Sequence, residues 1–167
     1  MGGLTKSIIF GLWDDVAAWP TAPVTPADIE ANASWVGDVV MKAGKRAFVM
    51  YATDDTAELQ INPVGEKDGI SLLMKLNIFH PGLRAKILGF IGAAKNEDLF
   101  FIPQDNEAQY YLLGDAKNAA HMVAGDGIGT GKAKGDRKGA NLSFEFPTNT
   151  PRLYVGDVTT LISSGSA

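Results

Sequence analysis

Three stretches of this chain alternate apolar and polar residues with a period of two, while only one repeats at the helical period. Ala57 to Pro63 sets Leu59 and Ile61 on one face and Glu58, Gln60 and Asn62 on the other. Ser71 to Phe79 sets Leu72, Met74, Leu76 and Ile78 against a mixed face of Leu73, Lys75, Asn77 and Phe79. Asn141 to Phe146 turns Leu142, Phe144 and Phe146 inward and Asn141, Ser143 and Glu145 outward. A period of two marks a strand with one face buried. The single helical pattern runs from Pro81 to Lys95, with Leu83, Ile87, Phe90, Ile91 and Ala94 on one stripe. Pro81 suits a first helical turn. The pattern predicts a mainly β fold with one flanking α-helix, a β-sandwich or barrel-like domain.

The remainder of the chain is punctuated by turns. Residues 1–26 read as an extended N-terminal arm, because Pro20, Pro23 and Pro26 fall close together and each removes an amide donor. This arm is expected to be mobile in the free chain, and its Trp13 and Trp19 need a surface to dock on, in this subunit or a neighbour. Trp35 to Met41 and Arg46 to Ala52 read as a hairpin about Ala43–Lys45. Leu99 to Ile102, Tyr110 to Leu113, His121 to Gly127 and Arg152 to Val155 add further strands. Residues 125–139 are rich in glycine and charge, the signature of a long flexible loop. Residues 159–167 form a Ser/Gly-ended tail expected to fray. Nothing separates two domains, so residues 27–158 read as one sandwich within a single domain of 1–167.

Composition removes several functions. With 167 residues and no cysteine, a proper core is possible but thiolate metal sites, disulfides and cysteine nucleophiles are not. A net charge of −4 argues against a protein whose main task is gripping nucleic acid. No apolar run reaches membrane-spanning length, and the N-terminus lacks a signal-peptide pattern. A soluble chain made in the cytosol is expected.

The chemistry-bearing patterns fail on inspection. GDGIGTGKAKG invites a phosphate-loop reading, but Asp126 stands where the first glycine belongs and Ala133 follows Lys132 in place of Ser or Thr. A strand follows it, so no helix N-terminus would face a phosphate. His80 and His121 lack metal-ligand companions. No nucleophile elbow or acid–base pair stands out, so neither an enzyme nor a cofactor is expected. Trp35, Tyr110 and Tyr111 suggest a sugar-stacking surface in a monomeric binding module, although such aromatics more often pack a sheet.

The order of elements resembles the major tail tube proteins of long-tailed bacteriophages, which are similar in fold to the tube proteins of pyocins and type six secretion. Four segments carry the resemblance: KSIIFGLWDDVAAWP, DGISLLMKLNIFHPG, the turn LLGD at Leu112 to Asp115, and GDGIGTGKAKGDRKGANLSFEFPTNTPRLYVGDV. The resemblance implies a virion structural protein assembled in the bacterial host cytoplasm. Its copies form hexameric rings whose inner strands join into a barrel, and the rings stack into the tube through which DNA leaves the capsid. Implied partners are further copies of itself, tape measure and terminator proteins, and sheath where the tail contracts. Double-stranded DNA passes through without specific binding, and no membrane is involved.

In that setting Phe10, Trp13, Trp19, Lys132, Lys134, Arg137 and Lys138 are candidates for contacts between subunits or rings. Glu58, Gln60, Asn62, Asn141, Ser143 and Glu145 are candidates for the channel wall, where a basic surface would hold phosphates. Rival assignments are a tail terminator, a head–tail connector or a decoration protein, beside the binding module.

Overall fold

The structure, a computed structural model, describes residues 2–23 and 29–163, with the side chains of 124–126 and 163 left aside. Twelve strands and two helices follow one another: β1 Ser7–Leu12, β2 Val16–Ala18, β3 Ser34–Trp35, β4 Val40–Met41, β5 Phe48–Tyr51, β6 Glu58–Val64, β7 Ser71–Pro81, α1 Ala85–Ala94, β8 Leu99–Ile102, β9 Tyr110–Tyr111, β10 His121–Gly129, β11 Gly139–Thr148, β12 Leu153–Tyr154 and α2 Thr159–Ser163. The protein is mainly β, and among the described residues α1 is the one helix longer than two turns.

Two sheets make the body. One has the order β10-β11-β7-β6 and is antiparallel throughout. The other has the order β5-β1-β8, also antiparallel. The alternating segments of the sequence form the first sheet. Their inward residues Met74, Leu76, Ile78, Leu142, Phe144 and Phe146 meet Ile8, Met50, Leu99 and Phe101 of the second sheet. The rings of Phe101 and Phe144, both fully buried, lie 4.3 Å apart between the sheets. Helix α1 closes this core with Ile87 and Ala94 buried and Phe90 and Ile91 packed against it, the stripe read from the sequence.

The second sheet is covered on both faces along β1 and β8, whereas β5 leaves Phe48, Val49 and Tyr51 exposed. Ile9, Phe100 and Ile102 point away from the first core into another, shared with Val16, Met41, Leu112, Tyr154 and Leu161. Strand β8, LFFI, is buried along its whole length, as a run of four apolar residues between two cores should be. A pair β2-β4 and a small sheet β3-β12-β9 complete the outer layer.

The arm expected over residues 1–26 is not a separate element. Strand β1 is the central strand of its sheet, paired with both β5 and β8, because SIIFGL supplies apolar residues to both cores. Residues 7–12 are thereby held on both sides. Pro26 lies outside the described residues. Three further boundaries shift. Pro81 ends β7, paired with Gly139, and Gly82 turns the chain at φ +80°, so the helix begins only at Ala85. The hairpin about Ala43–Lys45 does not form: β4 pairs with β2 and β5 with β1, and the expected strand from Trp35 breaks at Gly37, φ +118°. The tail does not fray at its start, because α2 buries Leu161 in the second core.

Candidate functional site

The first sheet has one face without a protein partner layer among the described residues. Strand register brings the channel-wall candidates onto that face in rows. Glu58 pairs with Asn77, and Asn77 with Ser143. Gln60 pairs with Lys75, Lys75 with Glu145, and Glu145 with His121. Asn62 and Asn141 share the face, opposite Leu73 and Phe79. All six candidates therefore occupy one surface. This follows from the antiparallel ladder, in which directly paired residues point the same way.

The rows are bonded. Ser143 Oγ donates to Asn77 Oδ1 at 2.8 Å, and Asn77 Nδ2 donates to Glu58 Oε1 at 3.3 Å. Gln60 Nε2 reaches the same Glu58 oxygen at 3.4 Å. Glu58 and Glu145 give the face two negative charges, against Lys75 and the Arg137 guanidinium over Phe79, so its net charge is close to zero. The contribution of β7 and its lysine to this surface is what the strand-by-strand reading of β6 and β11 left out.

Among the described residues, no strand pairs with the outer edge of β6 or of β10. Strand β6 carries Pro63, which cannot donate to a ladder and suits an edge. Strand β10 shifts register between Val123 and Gly127. Behind β6 lies an open cleft of about 460 Å³, lined by Gly3, Leu4, Leu59, Ile61, Asp105 and Tyr111. Asp105 accepts bonds from the amides of Glu107 and Gln109, each at 2.9 Å, and from the Tyr111 hydroxyl at 2.9 Å. Burial pushes this carboxyl up, but the donated bonds outweigh it and hold Asp105 below its usual range. Burial and the bond to Asp105 push Tyr111 the other way.

The basic candidates stand together on the β10–β11 loop, all exposed. That loop is folded upon itself. Asp136 Oδ2 accepts from the amides of Lys132 and Ala133, at 2.9 and 2.7 Å, which holds its carboxyl below the usual range. The Gly82 amide donates to the Lys138 carbonyl at 2.8 Å, and the Arg137 guanidinium lies 4.3 Å from the Phe79 ring centroid. Arg137 is thus engaged within its own subunit, whereas the side chains of Lys132, Lys134 and Lys138 form no ion pair among the described residues.

The aromatic contact candidates pack partly within their own subunit and remain half-buried. Phe10 packs against Phe90, Phe101 and Phe48. Trp13 stacks on Trp19 with centroids 6.5 Å apart and donates Nε1–H to the Asp115 carbonyl at 2.7 Å. Trp19 meets Phe100 edge-on. These rings dock on their own subunit, which satisfies part of the apolar surface that suggested an external contact.

The sugar-stacking trio is also split. Trp35 and Tyr110 both pair with Tyr154 in the small sheet, while Tyr111 points to its other side. A buried ion pair went unread: Arg152 Nη1 donates to Asp115 Oδ2 at 3.2 Å, and its Nη2 reaches Thr148 Oγ1 at 3.3 Å. The only signal for it was Asp115 closing the LLGD turn.

Among the described residues, no group of three or more His, Cys, Asp or Glu is placed to hold a metal, and no helix is long and apolar enough to cross a membrane. No family model, curated protein or solved structure matches the chain.

Proposed function

We propose that this protein is a structural subunit of a phage tail tube, which assembles into hexameric rings that stack around a channel for DNA. The observation that carries the reading is the four-stranded sheet: polar and of low net charge on its uncovered face, packed on the core along β7 and β11 on the other, and, among the described residues, unpaired along both outer edges. An exposed sheet edge invites another strand, and closure into a ring removes it.

The dimensions support the same reading. Four strands from each of six copies place 24 strands around the ring. At about 4.8 Å between strands and a tilt of about 40°, such a barrel is roughly 45–50 Å across between backbones, leaving a lumen wider than a DNA duplex. Its wall would carry Glu58, Gln60, Asn62, Asn141, Ser143 and Glu145, with Lys75 and Asn77 between them. Mixed polar groups of low net charge let phosphates pass without holding them. The body's other work is mechanical: two cores hold the lining sheet rigid, and no step needs a catalytic group or a cofactor. Tape measure, terminator and sheath proteins remain the partners this reading implies, in a virion assembled in the host cytoplasm.

The test is sedimentation of the purified chain across a concentration series, with negative-stain images of the same samples. Hollow rings or tubes are expected. Monomers at every concentration overturn the proposal and favour a connector or a decoration protein.

A further inference from the structure

The four-stranded sheet is two hairpins that point in opposite directions. Hairpin β6–β7 turns through residues 65–70, beyond the pair Val64–Ser71. Hairpin β10–β11 turns through residues 130–138, beyond the pair Gly129–Gly139 at the other end. The ten pairs that join β7 to β11 separate these tips, a span of roughly 33 Å at about 3.3 Å per residue.

The tips are oppositely charged. Glu66, Lys67 and Asp68 give the first a net charge of −1. Lys132, Lys134, Arg137 and Lys138, against Asp136, give the second a net charge of +3. Both are exposed and both are held in shape. In the first, the Gly69 amide bonds to the Glu66 carbonyl at 2.9 Å, with Gly65 and Asp68 at positive φ. In the second, Asp136 gathers the Lys132 and Ala133 amides. Tips fixed in advance lose little freedom on contact. Each also has an apolar shoulder: Val64 at 40% and Ile70 at 58% exposure beside the acidic tip, Ile128 at 43% beside the basic one. The acidic turn Asp54–Asp55 shares the basic end, where the Thr53 amide meets the Phe79 carbonyl. There Lys6 lies 3.7 Å from Asp54 and offsets it.

The surface that complements each end is the other end of a second copy. Such a contact is heterologous and repeats along an axis without closing. We infer that the 130–138 tip of one copy docks on the 65–70 tip of a copy in the next ring, and that this pairing sets the polarity of the stack. The inference rests on the tube reading and adds to it the two surfaces that join successive rings.

Charge exchange in the full-length chain tests it. Glu66→Lys with Asp68→Asn takes the acidic tip from −1 to +2, and asparagine tolerates the positive φ at position 68. Lys132→Glu with Lys134→Glu takes the basic tip from +3 to −1. Sedimentation and negative-stain images separate single rings from stacks. Each exchanged tip alone is expected to leave rings intact but to raise the concentration needed for stacking about tenfold or more, since like charges then face each other. A chain carrying both exchanges is expected to stack again, and wild-type stacks are expected to loosen as salt rises. Unchanged stacking in the single exchanges, no recovery when they are combined, or salt-insensitive wild-type stacks overturn the inference and leave the tube reading standing. A wild-type chain that forms neither rings nor stacks overturns both.

Discussion

The Arg152 guanidinium lies 3.6 Å from the centroid of the Trp35 ring and donates to Asp115 at 3.2 Å. The arginine side chain is 5% exposed and the aspartate 15%. Burial lowers the arginine pKa, and Asp115 raises it back in part, so the cation depends on its partner. This pair ties β12 to the turn that also receives the Trp13 indole N–H. Removing one member of such a pair leaves an uncompensated charge or acceptor, at a cost of about 3–5 kcal/mol. Arg152→Ala and Asp115→Ala are each expected to lower unfolding free energy by that order in urea titrations. A loss below about 1 kcal/mol in both contradicts the burial described.

The two faces of β11 should respond oppositely to truncation. Phe144→Ala removes a ring buried against Phe101 and is expected to cost about 3–5 kcal/mol. Ser143→Ala, one residue away on the polar face, deletes a bond to Asn77 and is expected to cost about 1 kcal/mol or less. Thermal unfolding of the two variants side by side gives the comparison. Similar losses would contradict the one-sided burial of β11.

Gly139 is required by its neighbours rather than by its backbone angle. A β-carbon there would meet the His80 carbonyl oxygen and come within 2.6 Å of Phe79 Cζ. Gly139→Ala is expected to destabilise by about 1–3 kcal/mol, through displacement of β7 against β11. A neutral result in chemical denaturation would show that the β10–β11 hairpin is looser at its base than described.

The β10–β11 tip should respond to acid. Amides of Lys132 and Ala133 hold the Asp136 carboxyl below its usual range, so its bonds are fully present above the ordinary carboxylate pKa. They weaken as pH falls through the lower folded value. Amide exchange at residues 132 and 133, corrected for intrinsic rates, is expected to accelerate on that descent and in Asp136→Ala at neutral pH. Equal protection in the variant contradicts the capped loop.

Where one residue's polarity determined its face, the sequence sufficed. The alternation in β6, β7 and β11 marked three strands and the two faces of β6 and β11, and the register of the structure then places the six polar residues on one surface. The stripe of α1 was equally readable. What escaped was long-range pairing. SIIFGL looked isolated because its partners, FVMY and LFFI, lie roughly 40 and 90 residues away, and local periodicity carries no record of such pairing. The Arg152–Asp115 pair was hidden for the same reason, being 37 residues apart in sequence. Prolines 20 and 23 suggested an arm, yet proline fixes only local φ, and Trp19, just before Pro20, packs on Phe100.

Image reconstruction of assemblies formed by the purified chain tests the central claim most directly, because it shows which surface faces the channel. The account predicts six copies per ring, with Glu58, Gln60, Asn77 and Ser143 lining a hollow lumen and the edges of neighbouring sheets side by side. Assemblies that turn this face outward, or that have no lumen, would contradict it.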